Sequence, residues 1–348
     1  MCYSKRVFVC VFTFLLIAEI SAESQAKTFV DKLNFSGWND CYKINSGIAE
    51  VIVAPAIGRA VSFRALGGPN VFYLVNENKG KVRKSTESYI SFGGLYTWLG
   101  PQSHWRLSAD QKKAGTGGMA EVPFDGVAHE VKNVGPNSIT TTRSDTDVYG
   151  IMMDKTYALT EDIAKFIYTV KITNISNFLL RWSIWNLAAV NPRGKVVFEA
   201  PGEWSDLQFC YGDEESSIEA YKPYIQFTDG LAVLDFTAMD AMGKKLFVKP
   251  NGSYILQYIS EQYWLVRTFP KQGEYDLFTD NNSQIEIWAD RSRDGVFEIE
   301  TLSCDIAIEP GESYSWQETF EIKSSKDLTC PSKNLPLKRL VSSVLKNN

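Results

Sequence analysis

The sequence predicts an all-β protein built of sheets packed face to face, with a short C-terminal helix. Three observations carry this. Many short runs alternate apolar and polar residues, Gly, Pro, Asn or Asp punctuates them at near-regular spacing, and neither strand–helix alternation nor a fixed-period repeat appears. A chain of 348 residues holds two ordinary domains or one large β domain, and length alone does not choose. The net charge of -5 gives no broad electrostatic reason to bind nucleic acid or an anionic membrane.

At the N-terminus, Lys5 and Arg6 precede an apolar run over 7–18 and the small residues Ser21 and Ala22, the three-part pattern of a secretory signal. The expected organisation is a signal peptide over 1–22 and a single β domain over 23–348, exported to the periplasm or the extracellular space. Cleavage after Ala22 follows the apolar run more closely, and cleavage after Ala26 fits the small-x-small rule better. The run is too short to cross a bilayer comfortably, and no membrane span is expected in the mature chain. Cys2 and Cys10 leave with the signal. Cys41, Cys210, Cys304 and Cys330 remain, an even number that allows one or two disulfides among three pairings, or buried free thiols. Their wide spacing argues against a zinc knuckle.

In chain order, 49–54 and 59–66 read as a hairpin whose turn is bracketed by Pro55 and Gly58. A polar connection follows at 76–88, and a glycine-rich loop at 108–118. From Glu130 strand follows strand, at 138–143, 151–159, 166–173 and 180–190. Along 166–173, Phe166, Tyr168, Val170 and Ile172 share one face. The second half continues with strands at 224–227, 231–236, 245–248, 254–259, 263–269, 285–289, 296–302 and 313–322. Beyond Leu335, Leu337, Leu340, Val341, Val344 and Leu345 fall at helical spacing, which predicts the terminal helix.

One stretch departs from this pattern. Residues 92–105 gather three glycines, a proline, several aromatics and one of the two histidines of the chain. Glycine permits close approach of backbone to backbone or ligand, and Tyr96, Trp98 and Trp105 offer apolar faces with polar tips. Such faces stack on the C–H surfaces of sugar rings, whose hydroxyls pair with planar or charged groups. Trp98, Gln102, Trp105, Trp182, Trp185 and Asn186 supply that mixture, with Arg59 as a further contributor.

Four segments carry a family resemblance: 54–63, the Phe-Gly-Gly and Pro-Gln of 92–102, the Trp-Ser-Ile-Trp-Asn-Leu of 182–187 and the Glu-Pro-Gly-Glu-Ser-Tyr of 309–314. They resemble the DUF4380 group of bacterial proteins, which is similar to the galactose mutarotase superfamily. The resemblance implies a β-supersandwich, one large domain whose concave sheet face binds a mono- or oligosaccharide. It also implies a reaction in which a base takes the anomeric hydroxyl proton while an acid protonates the ring oxygen. The mutarotase base lies in a Leu-Glu-Thr-Gln-like segment, and Glu300 in Phe297-Glu298-Ile299-Glu300-Thr301-Leu302 is the matching position. The two mutarotase histidines correspond to Phe92 and Trp182, so standard aldose 1-epimerase chemistry lacks its acid. His104 offers an imidazole from the same region.

Two other classes stay open. One is a non-catalytic structural or interaction protein of the envelope or extracellular space. The other is a glycan-cleaving enzyme with paired carboxylates, Glu300 with Asp290 or Asp294. No nucleotide loop, Ser-His-Asp order or HExxH helix is present, and Asp290-Arg-Ser-Arg-Asp294-Gly295 lacks EF-hand ligand spacing. Neither a metal nor a cofactor is expected.

Overall fold

The computed structural model describes residues 28–84, 89–106, 123–146, 148–210, 214–237, 239, 244–249, 251–271, 273, 276–290 and 296–324. The expected signal over 1–22, the loop at 108–118 and the terminal helix lie outside the described residues.

The strands are β1 (Phe29–Phe35), β2 (Trp38–Asn45), β3 (Ala49–Ala54), β4 (Arg59–Ala65), β5 (Leu95–Gly100), β6 (Glu130–Val134) and β7 (Ser138–Asp145). They continue as β8 (Ile151–Leu159), β9 (Lys165–Asn174), β10 (Leu180–Val190), β11 (Lys195–Glu199), β12 (Leu207–Cys210), β13 (Ile225–Thr228) and β14 (Leu231–Asp235). The last are β15 (Lys244–Val248), β16 (Tyr254–Ser260), β17 (Tyr263–Thr268), β18 (Ile285–Asp290), β19 (Val296–Leu302), β20 (Ile306–Ile308) and β21 (Ser313–Ser324). Among the described residues they form two sheets. One is eleven-stranded, in the order β1-β2-β3-β4-β5-β10-β19-β18-β15-β12 with β20 also beside β10. The other is ten-stranded, in the order β13-β14-β11-β16-β17-β21-β9-β8-β7-β6.

The expected all-β architecture is observed, and β3, β8, β10 and β19 begin and end where their alternation and flanking turn residues predict. One helix of eight residues, α1 (Glu214–Tyr221), interrupts the strands. The largest departure is β5, a central strand inside the glycine-rich stretch. All six of its residues are buried, so no polar alternation marks it. Its entry needs glycine. Gly93 and Gly94 have φ of 76° and 82°, and a Cβ there would stand 2.1 Å from the Tyr73 carbonyl oxygen and 2.6 Å from that of Ala60.

The core between the sheets is aromatic. Phe166 packs on Phe63 and on Phe320, each at 5.5 Å between ring centroids, and Phe72 meets Phe320 edge-on at 6.1 Å. Each such ring contributes about 1.5–3 kcal/mol by leaving water. Cys41 and Cys304 are free thiols, both buried, and burial lifts the Cys41 thiol to about 11.

A polar network crosses this core. The fully buried Glu318 of β21 accepts hydrogen bonds from Asn186 Nδ2 at 3.0 Å, Trp316 Nε1 at 2.7 Å, Arg267 Nε at 2.8 Å and the Thr301 hydroxyl. Arg267 also donates to the carbonyl oxygens of Ile299 at 2.7 Å and Asn186 at 3.2 Å. On the other side of Asn186, its Oδ1 accepts from the Thr97 hydroxyl at 2.6 Å, and Thr97 pairs with Tyr168 Oη at 2.7 Å. The network thereby ties β5, β10 and β19 of one sheet to β9, β17 and β21 of the other.

Glu318→Ala strands the Arg267 guanidinium in the core without its carboxylate. The expected cost is about 3–5 kcal/mol of unfolding free energy. Urea denaturation checks this, with a lowered midpoint at an unchanged slope as the expected result.

Candidate active site

The site follows from the pleat of β10. Successive side chains on a strand point to opposite faces, and Asn186 points inward to Glu318. Trp185 and Leu187 therefore point to the outer face of the eleven-stranded sheet. Register carries this face sideways. Trp185 stands opposite Trp98 and Leu187 opposite Tyr96 on β5, while Leu187 also stands opposite Glu300 on β19. Glu300 is opposite Glu286 on β18, and Lys245 and Phe247 of β15 pair with Trp288 and Glu286.

Glu300 is 1% exposed and Glu286 0%. Trp185 Nε1 donates to Glu300 Oε2 at 2.6 Å, and Lys245 Nζ lies 2.9 Å from the same oxygen. Lys245 also sits 2.5 Å from Glu286 Oε2, and its ammonium lies over the Trp185 ring at 4.2 Å from the centroid. Ser283 Oγ donates to the other Glu286 oxygen at 3.1 Å.

Burial raises the Glu286 carboxyl to about 8; Lys245 pulls it down, and Glu300 and Asp280 push it further up. Glu298, two residues before Glu300, is raised to about 7 by burial and then by Glu300, against a hydrogen bond donated by Tyr96 Oη. Burial opposes the Lys245 ammonium, but the two carboxyls outweigh it and hold the proton more tightly than on a free lysine.

Trp98 meets Trp105 and Trp185 edge-on, each at 5.2 Å between ring centroids, and Trp105 Nε1 donates to the Leu99 carbonyl oxygen at 2.7 Å. Trp98 Nε1 is buried and has no hydrogen-bond partner among the described residues. The structure thus brings Trp98, Trp105, Trp185 and Glu300 into one contiguous group.

Gln102 and His104 are half-buried on the 3-10 turn Gln102–Arg106 that follows β5. His104 packs against Trp182 at 6.0 Å, and burial raises the nearby Asp280 carboxyl against the pull of the Lys245 ammonium. Asp280, Asn281 and Asn282 are successive left-handed residues, with φ of 52°, 61° and 53°, in the turn that abuts Gly100. Non-glycine residues are held in that region only where surrounding structure requires it.

Arg59 is fully buried beside Tyr96. It donates to the Gly93 carbonyl oxygen at 2.7 Å, pairs with Asp125 and covers the Tyr96 ring at 3.7 Å. Trp182 shares the strand face of Asn186 rather than that of Trp185, and meets Tyr149 at 5.2 Å. Asn186 is spent inside the inter-sheet network. Sequence proximity thus grouped three β10 residues that the pleat divides between two faces.

The sequence profile described as "Domain of unknown function (DUF4380)" matches residues 41–323. The chain belongs to the DUF4380 family. No curated protein sequence matches it. Among solved structures it is similar to a galactose mutarotase-like protein from Clostridium acetobutylicum, with a TM-score of 0.56 and 11% identity over 86% of this chain and 99% of that one. A galactose mutarotase-like protein from Lactobacillus casei gives 0.54 and 11% over 81% and 100%. The Slr1438 protein from Synechocystis sp. PCC 6803 gives 0.55 and 11% over 84% and 99%. At these identities the likeness is one of fold, and this DUF4380 chain has the galactose mutarotase-like β-sandwich.

Sequence reasoning missed Lys245, Glu286 and Asp280. Glu286 had a local signal, a carboxylate between Ile285 and Ile287 on the same face as Trp288 in an otherwise apolar strand. Lys245 had none, because its partners lie on strands 40 and more residues away in sequence. Asp294 and the side chain of Asp290, the alternative carboxylate partners, lie outside the described residues. Among the described residues no cluster of three His, Cys, Asp or Glu could hold a metal ion.

The folded DUF4380 chain holds the Glu286 proton more tightly than the unfolded chain does. Between about 4.5 and about 8 the native state keeps a proton that the unfolded state has released, so this contribution to stability is present at the acid end and lost as pH rises. Unfolding free energy measured by urea denaturation across that window is expected to fall with pH, and Glu286→Gln to flatten the fall. Glu298 contributes a smaller slope of the same sign.

Proposed function

We propose that the protein is an exported carbohydrate-binding protein that transfers protons at the anomeric centre of a sugar, with Glu300 as the base. One observation carries this reading. A buried carboxylate on the outer face of the larger sheet is hydrogen-bonded by Trp185, and Trp185 belongs to the Trp98–Trp105–Trp185 cluster. The tryptophan faces suit the C–H surface of a pyranose, and Glu300 suits its anomeric hydroxyl. Gln102 and His104, on the turn beside this cluster, offer polar groups to the remaining hydroxyls. Arg59 stiffens Tyr96 from behind, and Asn186 holds β10 in place. The mutarotase-like names of the structural neighbours agree with a sugar ligand.

Because Glu300 and the three tryptophans are almost wholly buried, ligand entry moves the aromatic wall, and tryptophan fluorescence reports it directly. With freshly dissolved aldoses, NMR is expected to show accelerated anomer exchange by the wild type and a loss of about 10²–10⁴-fold in Glu300→Gln. Saturable fluorescence change without acceleration leaves sugar binding alone, the reading favoured by the aromatic residues Phe92 and Trp182 at the two histidine positions. No response across a broad glycan panel defeats the carbohydrate reading.

Export rests on Lys5, Arg6 and the apolar run at 7–18. Mass spectrometry of protein produced with its own N-terminus is expected to find a mature chain beginning at Glu23 or Lys27. An intact N-terminus overturns export with cleavage.

A further inference from the structure

Proton transfer at an anomeric centre needs an acid as well as a base. Phe92 is fully buried beneath the Arg59 guanidinium, and Trp182 is packed against Tyr149, so neither position supplies an acid. Among the described residues, the cation in contact with Glu300 is Lys245, lying between two carboxyls on neighbouring strands, 2.9 Å from Glu300 and 2.5 Å from Glu286. Lys245 is the most exposed of the three, with 13% of its side chain accessible. Among the described residues, the other titratable or charged groups acting on this cluster are Asp280 from the turn beside Gly100, Glu298 with its Tyr96 partner, Arg59 near Glu298 and His104 near Asp280.

Charge counting constrains this group. One ammonium neutralises one carboxylate, and a second bare carboxylate at the same buried point is strongly disfavoured. The two carboxyls facing one ammonium therefore retain a proton between them. Glu286 is its natural holder. It is wholly buried, and burial raises its carboxyl to about 8.

We propose that Lys245 is the acid of the site, giving the sugar ring oxygen a proton that Glu286 replaces while Glu300 takes the anomeric hydroxyl proton. This rests on the reading of the site as acting at an anomeric centre. As Glu300 removes the O1 proton, the O1–H electron pair becomes the second bond of a C1 carbonyl. The proton taken by Glu300 cancels one of the two charges that hold the Lys245 proton; the C1–O5 bond breaks, and its electron pair takes a proton from the Lys245 ammonium, which recovers one from the Glu286 carboxyl. The cluster ends with the same total charge and the shared proton on Glu300. After rotation about C1–C2, O5 attacks the other face of the carbonyl, its proton returns through Lys245 to Glu286, and Glu300 reprotonates O1. No oxidant, reductant or metal is consumed.

The experiment compares wild type, Lys245→Arg and Glu286→Gln by three readouts: anomer exchange of freshly dissolved aldoses by NMR, sugar affinity by tryptophan fluorescence, and the titration of ¹³C-labelled glutamate carboxyls. Arginine keeps the positive charge but does not give up its proton. Lys245→Arg is therefore expected to bind sugar and to lose about 10²-fold or more of the exchange rate. Glu286→Gln is expected to lose a similar factor, together with a carboxyl signal that titrates near pH 8 in the wild type. Exchange at the wild-type rate in either variant overturns the acid relay while leaving the role of Glu300 intact. Titration of every glutamate carboxyl below about pH 5.5 overturns the shared proton. A wild type that exchanges no sugar removes the reaction at the anomeric centre, and the relay with it.

Discussion

The pleat of β10 places Asn186 in the core and Trp185 on the opposite face, and both placements depend on one buried ion pair. Glu318 and Arg267 grip Asn186, Thr301 and the carbonyl of Ile299, so β10 and β19 are held in a fixed register by groups of the facing sheet. A slip of one residue would turn every outer side chain of either strand inward. Leu187 stands opposite Glu300, and Trp185 reaches Glu300 Oε2, only because that register is held. The inner network is therefore part of the site although none of its members lies on the site's face.

This arrangement explains what the sequence revealed and what it did not. Strands with one buried face, such as β8 and β9, announce themselves by alternation, and their limits are legible to within a residue. Strand β5 is buried on both faces and entered through two left-handed glycines, so it reads as a loop even though it lies between β4 and β10. Glu300 and the tryptophans were legible as residue types and by resemblance. Lys245 and Glu286 were not, because a cross-strand ion triad is a property of strand order, and strand order is not written in any local window.

The site concentrates charge in a place from which water is largely excluded. A lysine flanked by two carboxyls and lying on a tryptophan face gains from both kinds of contact, yet each ion in it has been stripped of solvent at a cost of several kcal/mol. Unfavourable terms of this kind at one end of an otherwise consistent fold are where local rules yield to function. The aromatic core between the sheets offsets them.

A histidine is suited to proton transfer at neutral pH because its own pKa lies there. Two carboxyls that compete for one cation reach the same range by coupling. Neither carboxyl alone would hold a proton at neutral pH in water, but burial raises the Glu286 carboxyl to about 8 beside Glu300, with the Lys245 ammonium between them. The requirement then shifts from the identity of a residue to the separation of three side chains, which is set by the pairing of β15, β18 and β19. On this argument, the aromatic residues Phe92 and Trp182 leave the proposed acid–base chemistry to the Lys245 cluster. That cluster spans β19, β18 and β15 of the same sheet, where the register secured by Glu318 and Arg267 keeps the three groups within hydrogen-bonding reach.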